Sequence, residues 1–321
     1  MGDSNQRLRR SLLYVPGNSP SMLQNIPVFE CDVCVIDLED AVPLVEKDAA
    51  RALAASFIRR YQDRNKEIYV RINGLDTPYY HDDLQAVLPA MPDGIRLPKC
   101  ESPMAAERLD DLLTEHEEML GCRIGSFKII ASIESPGGIM NAERIARASE
   151  RLVAMGFSAE DYTASLHIDR PKTGEHLLVP RQLLLMACRA AGLQAIDTVW
   201  SDTTDMAGLK AECEHIKVLG YDGKSLINPR QIDVVHEVFA PKQDEVDYAL
   251  QVVDAIVQAR EQGTGVISLA GKMIDAPVVA RAVRVLLTAK ALGIVDVDVD
   301  EGVIYGTASV NDTSSAGGMK R

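Results

Sequence analysis

Three segments of the chain share one pattern, in which a short apolar run rich in valine and isoleucine ends in acidic residues. The acids are at 37–40, at Glu134 and at 160–161. Such runs are typical of strands buried on both faces of a parallel sheet, so their charges must lie where the strands reach solvent. The pattern predicts that the acids gather at one edge, where βα proteins place their chemistry, and it favours a metal-assisted enzyme.

Eight apolar runs alternate with amphipathic stretches over the first 240 residues. The predicted strands are Ser11–Val15, Val33–Leu38, Ile68–Ile72, Gly94–Pro98, Lys128–Ile133, Leu152–Met155, Ala195–Val199 and Gly223–Ile227. The predicted helices are Ser19–Ile26, Glu46–Gln62, Tyr79–Ala90, Pro103–Glu118, Gly137–Ala148, Arg181–Ala191, Met206–Leu219 and Gln231–Phe239. Eight alternations with short joins favour an α/β fold of the TIM (β/α)₈ barrel type over an open doubly wound sheet. The first strand is also not followed by a Gly-x-Gly-x-x-Gly turn.

The residues beyond the eighth unit predict a C-terminal extension. We expect residues 1–240 to form the barrel, 241–295 a helical extension and lid, and 296–321 a flexible tail. Long amphipathic helices are predicted at Lys242–Gln262 and Val278–Leu292, and the glycine-spaced strip between them suits the hinge of a lid. An ordinary packing extension explains the spacing equally well. The tail has no helical period and carries Ser-Ser-Ala-Gly-Gly.

The net charge of −13 argues against nucleic acid and anionic membrane surfaces as partners, because both would repel the protein. The polar start and the lack of a long uncharged stretch predict a soluble cytoplasmic protein. Its six cysteines are dispersed, so we expect reduced thiols. Zinc at Cys31-x-x-Cys34 is not favoured, because residues three apart on a strand face opposite ways and no second pair follows.

Glu134 and Asp161 are predicted to follow the neighbouring fifth and sixth strands, so their side chains can converge. Two carboxylates completed by waters and substrate oxygens suit magnesium, which keeps several waters. Either acid alone is more often a solvated loop charge or a helix cap. Glu39 and Asp40 are expected across the barrel mouth, as acceptors for metal-bound water or as partners of a basic group.

Basic residues accompany the same strands. Arg71 ends the third strand, Lys99 follows the fourth and Arg10 enters the first. We expect Arg71 to bind a substrate carboxylate, because its planar fork matches carboxylate geometry, although an ion pair with Glu39 is the plainer interpretation. Lys99 is interpreted as a charge rather than a Schiff base, since a metal site makes the latter redundant.

A nucleophilic mechanism finds little support in the sequence. There is no Gly-x-Ser-x-Gly elbow, and His167, His176 and His215 have no partnered serine or cysteine pattern.

The motifs resemble one family, the citrate lyase beta subunits, within the wider group of malyl-CoA and citramalyl-CoA lyases. The resemblance runs from Arg10 to about Ile294. It is carried by the motifs at 10–17 (RSLLYVPG), 37–42 (DLEDAV), 70–73 (VRIN), 97–99 (LPK), 133–136 (IESP), 159–161 (AED), 195–199 (AIDTV), 222–232 (DGKSLINPRQI) and 271–275 (GKMID).

The resemblance implies a TIM-type barrel with Mg²⁺ held by Glu134 and Asp161, and with Arg71 on the substrate carboxylate. It implies thioester contacts near Arg10, Lys99 and the segment 224–230. It further implies a homo-oligomer, a trimer or hexamer, in which the lid of one protomer brings Asp275 to its neighbour's barrel.

The family's reaction implies two protein partners and one mechanism. The alpha subunit transfers citrate onto the acyl-carrier gamma subunit, and the beta subunit then cleaves the citryl thioester to oxaloacetate and an acetyl thioester. For this retro-Claisen cleavage we expect catalytic roles for Asp275 as proton carrier, for Glu39 and for Arg10 beside the enolate. Lys99 and Glu134 are expected to contact the substrate together with Arg71.

One segment departs from the family, which commonly carries an Arg-Thr-rich stretch after the residue matching Asp161. Here the chain reads Thr163 to Gly174, TASLHIDRPKTG, which affects the expected contacts of the sixth loop. Two alternative functions remain open: a stand-alone malyl-CoA or citramalyl-CoA lyase or thioesterase, and a noncatalytic subunit that docks the acyl carrier.

Overall fold

The computed structural model describes residues 7–61, 65–261, 268–269 and 272–297. The chain divides into two compact units, residues 1–239 and residues 240–321.

The first unit is a closed barrel of eight parallel strands, which confirms the predicted α/β TIM-barrel class. The strands are β1 Ser11–Pro16, β2 Val33–Asp37, β3 Glu67–Arg71, β4 Gly94–Leu97, β5 Lys128–Ile133, β6 Leu152–Phe157, β7 Gln194–Asp197 and β8 Gly223–Leu226. Strand β8 pairs with β1 and closes the barrel. Every predicted strand is present, with ends within two residues of the prediction.

Helices follow the strands around the barrel. They are α1 Pro20–Leu23, α2 Lys47–Arg60, α3 Tyr80–Val87, α4 Pro103–Leu120, α5 Pro136–Met140, α6 Ala142–Ala146, α7 Ala159–Ser165, α8 Leu178–Ala191, α9 Met206–Leu219 and α10 Gln231–Phe239. Three helix predictions differ from the structure. The predicted helix Ser19–Ile26 is shortened to α1, Pro20–Leu23. Helix α7 was not predicted, and the single predicted helix Gly137–Ala148 is interrupted at Asn141, whose backbone is not helical and whose Nδ2 donates to the carbonyl of Glu101 at 2.9 Å.

Side chains alternate between the barrel interior and the helix-covered outside. On β2, Val33 and Val35 belong to the interior apolar cluster, whereas Cys34 and Ile36 pack in the outer core beneath the helices. This alternation directs Asp37, the last residue of β2, to the inside of the barrel. The main hydrophobic core therefore lies between the outer face of the barrel and the helices. The barrel interior carries polar side chains where the strands reach the carboxyl-end rim.

A buried ionic cluster joins the strands to the helices on one side of the barrel. Arg181 donates to both oxygens of Asp197 at 2.8 and 2.9 Å, and Lys224 Nζ donates to Asp197 at 2.8 Å. Both cations also contact Glu212. The ammonium of Lys224 is thus buried in this cluster and paired with two carboxylates, so the thioester contacts expected near the segment 224–230 stay a prediction for its later residues.

The second unit contains α11 Gln243–Glu261, the short antiparallel strands β9 Ser268–Leu269 and β10 Lys272–Met273, and α12 Ala276–Ala291. Its apolar core is formed by α11 and α12 residues such as Val252 and Leu286. The predicted hinge strip lies partly, and the predicted tail almost wholly, outside the described residues. None of the helices in the described part of the chain combines the length and the apolar composition needed to cross a bilayer.

Replacing Asp197 with Asn is expected to destabilise the barrel, because two buried cations would share one carboxylate. We expect a loss of about 3–5 kcal/mol in the free energy of unfolding at pH 7, measured by urea denaturation. The same cations lower the pKa of Asp197 to about 2 against the opposing effect of burial. The contribution of the ionised Asp197 carboxylate to the free energy of unfolding is therefore fully present at pH values above its ordinary pKa of 3.8. This contribution is lost as pH falls through about 2.

Glu237→Gln is the matched control, because it breaks only an exposed ion pair with Lys210. Little change in stability is expected there. Equal losses in the two variants would contradict a dominant role for the buried cluster.

Candidate active site

Three carboxylates follow strands at the carboxyl-end rim of the barrel, two of them after the neighbouring strands β5 and β6. Glu134 comes directly after β5, Asp161 lies in the first turn of α7 after β6, and Glu39 follows β2. The ends of β5 and β6 are tied together, because the Ser158 amide donates to the Ile133 carbonyl at 3.0 Å. The structure therefore brings Glu134 and Asp161 to the same side of the rim, as the sequence predicted.

Glu134 is a buried carboxyl group, only 5% exposed. Among the described residues its carboxylate has no hydrogen-bond donor and no ion pair at contact distance. Its pKa is raised to about 8, first by burial and then by the charges of Glu39 and Asp161, against the opposing effect of Arg71 and Arg96. The two acids beside this buried carboxyl group, Glu39 and Asp161, favour a cation at this position.

Arg71 is held by an aspartate that was not among the predicted site residues. Its Nε and Nη2 donate to the two oxygens of Asp37 at 2.7 and 2.6 Å. Burial opposes ionisation of Asp37, but these bonds and the backbone amides of Glu39 and Ala41 lower its pKa overall. Nη1 of Arg71 lies 3.1 Å from Glu39, so the plainer interpretation, an ion pair, is part of the structure.

Glu39 connects Arg71 to Lys99, whose Nζ lies 2.9 Å from Glu39 Oε1. Burial raises the pKa of Glu39 in spite of its two cationic neighbours. Lys99 has a left-handed backbone with φ 49°, which turns the chain sharply after β4 and directs its half-exposed side chain towards Glu39. Both residues are thus at the predicted rim.

Arg10 is at the other end of the barrel. It precedes β1, and its guanidinium donates to both oxygens of Asp32, which precedes β2, at 2.8 and 2.7 Å. These positions are the amino ends of parallel strands, opposite the rim that carries Glu134. The expected contact of Arg10 with a thioester enolate was therefore wrong, and the ion pair with Asp32 is its observed role.

Asp275 belongs to the second unit, where it caps the N-terminus of α12. Its Oδ1 accepts a hydrogen bond from the amide of Val278 at 3.1 Å. The side chain is exposed.

The segment that departs from the family adds cations near the sixth loop. Arg170 pairs with Glu160 at 2.6 Å, next to Asp161 in α7, and also donates to the Val199 carbonyl at 2.7 Å. Lys172 pairs with Asp202 at 2.7 Å. These contacts fasten the segment to the loops after β6 and β7.

The layer beneath the rim contains two further residues that the sequence analysis missed, Tyr14 and Arg96. The guanidinium carbons of Arg71 and Arg96 lie 4.9 and 5.0 Å from the centroid of the Tyr14 ring. Arg96 is an interior residue of β4, and a charged side chain inside an otherwise apolar strand was the signal that could have revealed it.

The donor set at the rim fits magnesium. Glu134 and Asp161 would hold the ion as two protein ligands, since the described part of the chain contains no group of three or more acidic, histidine or cysteine side chains that could hold a metal. Waters and substrate oxygens would supply the other ligands, as magnesium prefers. The lone buried carboxylate of Glu134 is the observation that supports this fit.

A closed parallel barrel with buried acids beside an arginine at its carboxyl-end rim defines a metal-dependent TIM-barrel lyase. The chain belongs to the HpcH/HpaI aldolase/citrate lyase family, whose sequence profile matches residues 10–229.

Known proteins of this family are similar to the chain over most of its length. The citrate lyase subunit beta of Leuconostoc mesenteroides subsp. cremoris is 45% identical over 91% of this chain and 97% of that protein. The human mitochondrial citramalyl-CoA lyase is 30% identical over 88% of this chain and 86% of that protein.

Two solved structures from Mycobacterium tuberculosis share the fold. Protein CitE in complex with magnesium, acetoacetate and coenzyme A has a TM-score of 0.71 at 28% identity, covering 89% of this chain and 99% of that chain. A citrate lyase beta subunit complexed with oxaloacetate and magnesium has a TM-score of 0.63 at 28% identity, covering 74% and 100%. Magnesium is thus the cofactor of related structures with this fold.

Glu134→Gln is expected to stabilise the metal-free protein in a pH-dependent way. Because folding raises the pKa of Glu134 to about 8, the folded state binds a proton more tightly than the unfolded chain. The free energy of unfolding of the parent therefore falls as pH rises through about 8, and the neutral amide removes this loss. We expect the gain in melting temperature to be smallest near about pH 5 and to grow towards about pH 9.

The control is Glu143→Gln, which changes an exposed carboxylate paired with Arg147. Its melting temperature should follow the parent at every pH. A gain for Glu134→Gln that does not vary with pH would show that the carboxyl group does not titrate in this window.

Proposed function

We propose that the chain cleaves a citryl thioester to oxaloacetate and an acetyl thioester, as the beta subunit of a citrate lyase. The observation that carries the proposal is the buried carboxylate of Glu134 beside Asp161 and Glu39. The 45% identity to a citrate lyase subunit beta over nearly the whole chain supports this substrate over the citramalyl thioester of the more distant relative.

Substrate binding is assigned to the cations of the rim. Arg71 is pre-oriented by Asp37 and presents a guanidinium beside Glu134, where a substrate carboxylate can bind. Lys99 is half-exposed at the same mouth, so it can neutralise negative charge on the thioester or the keto acid. Glu39 holds both cations in place through its ion pairs.

The cleavage itself is a retro-Claisen reaction. The substrate hydroxyl loses its proton as the carbon–carbon bond breaks, and the resulting thioester enolate is then protonated. When bound by Glu134 and Asp161, magnesium lowers the pKa of a hydroxyl group and stabilises a negatively charged oxygen. Asp275, carried by the lid of a neighbouring protomer, is the proposed proton carrier.

The proposed partners follow from the same assignment. They are the alpha subunit, the acyl-carrier gamma subunit that bears the citryl group, and further copies of this chain in a trimer or hexamer. The second unit, with α11 and α12, is the proposed lid, and its exposed Asp275 supports that role.

Activity on citryl-CoA tests the proposal directly. We expect oxaloacetate release that stops after chelation and returns with Mg²⁺, with weaker release of pyruvate from citramalyl-CoA and of glyoxylate from malyl-CoA. Glu134→Gln and Asp161→Asn should each lower kcat/KM by at least about 100-fold, because several kcal/mol of charge stabilisation is lost.

Glu160→Gln is the control, since this acid shares the turn with Asp161 but pairs with Arg170. It should retain most of the activity. Faster turnover of citramalyl-CoA or malyl-CoA would favour a stand-alone lyase, and no turnover of any thioester would favour a docking subunit.

Asp275→Asn should abolish cleavage without lowering the melting temperature, because Asn caps a helix as well as Asp does. Asp275→Ala separates the two roles, since it also loses the bond to the Val278 amide and should be less stable. Mixing Asp275→Asn with Glu134→Gln should restore activity if the lid acts on a neighbouring barrel. Full activity of Asp275→Asn would remove this residue from the mechanism.

A further inference from the structure

Arg96 is a buried cation without an anionic partner. It is only 2% exposed and points into the barrel. Its Nε donates to the hydroxyl of Ser132 at 2.9 Å and its Nη2 to that of Ser225 at 3.5 Å, while Nη1 is buried and has no hydrogen-bond partner in the described residues. Neutral hydroxyl groups orient the guanidinium, but they do not cancel its charge.

The other buried arginines of the described chain are all compensated. Each of them pairs with a carboxylate at 2.9 Å or less: Arg9 with Glu67, Arg51 with Asp83, Arg151 with Glu117 and Arg181 with Asp197. A buried charge without such a partner costs several kcal/mol, so its presence indicates that an anion completes the site. Arg96 therefore stands apart from the structural arginines.

Arg96 lies directly beside the proposed substrate contact. The register of β3 and β4 pairs Arg71 with Arg96, and both guanidinium groups lie over the ring of Tyr14. Asp37 compensates Arg71 but makes no contact with Arg96. Space for the guanidinium comes from Gly156, where a Cβ atom would approach Nη2 to 2.5 Å.

The proposed substrate supplies an anion for this position. A citryl thioester carries two free carboxylates, whereas a citramalyl thioester has a methyl group in place of one carboxymethyl group. Their keto-acid products, oxaloacetate and pyruvate, differ in the same way. Arg71 accounts for one carboxylate, and Arg96, its partner in the β3–β4 register, is a cation that can bind the other.

We propose that Arg96 is the specificity-determining residue that binds the second carboxylate of the citryl group, an inference that rests on the proposed function. Nη1, which has no hydrogen-bond partner among the described residues, is the donor assigned to this carboxylate. Arg96 thereby selects a dicarboxylic keto acid over a monocarboxylic one.

The test is calorimetric binding of oxaloacetate and of pyruvate, at saturating Mg²⁺, to the parent protein, Arg96→Met and Arg96→Gln. We expect both variants to bind oxaloacetate about 10- to 100-fold more weakly, the loss of a hydrogen bond to a charged group, and to bind pyruvate as the parent does. The melting temperature of ligand-free Arg96→Met should be unchanged or higher, because an uncompensated buried charge has been removed.

Arg151→Gln is the control, since it removes a buried arginine at the amino end of the barrel. It should lose stability and keep the parent's preference for oxaloacetate. If the parent itself does not bind oxaloacetate, the proposed function fails, whatever Arg96 does.

Three results would overturn the role of Arg96 while leaving the proposed function intact. The first is an unchanged preference for oxaloacetate in both variants, and the second is an equal loss for both keto acids. The third is weaker Mg²⁺ binding in the absence of any keto acid, which would place the effect at the metal site.

Discussion

Closing eight parallel strands into a barrel makes the residues that follow the strands share one rim, and Glu39, Glu134 and Asp161 are among those residues. Glu134 bears the consequence, because it is buried next to Glu39 and Asp161 and its pKa rises to about 8. A cation at this rim removes the repulsion. The affinity for metal, the pre-orientation of Arg71 by Asp37 and the placement of the substrate all depend on this arrangement.

The two ends of the barrel use charge differently. At the amino end, buried and partly buried arginines are matched by carboxylates, as in Arg9 with Glu67 and Arg10 with Asp32, and such pairs fix the strands. At the carboxyl end, charge is left incompletely compensated at Glu134 and Arg96. Incomplete compensation lowers stability, and it is expected where a ligand supplies the missing charge.

The sequence was sufficient to predict the strands, because their apolar runs and acidic ends follow from burial in a parallel sheet. It also placed Glu134, Asp161, Arg71 and Lys99 at the rim. The sequence did not predict the pairing of Arg71 with Asp37, because that pairing depends on how the strands align. It also did not reveal Arg96 as a site residue, because Arg96 lies within an apolar run. Arg10 was misplaced because a residue that enters a strand lies at the amino end, whatever motif it belongs to.

Glu134 and Asp161 are proposed to hold together one divalent ion that also contacts the keto acid. Anomalous diffraction from crystals soaked with Mn²⁺ and oxaloacetate measures this directly, since manganese accepts the same oxygen ligands as magnesium. We expect one anomalous peak bonded to both carboxylates and to oxaloacetate oxygens. A peak elsewhere, or oxaloacetate bound without contact to either acid, would contradict it.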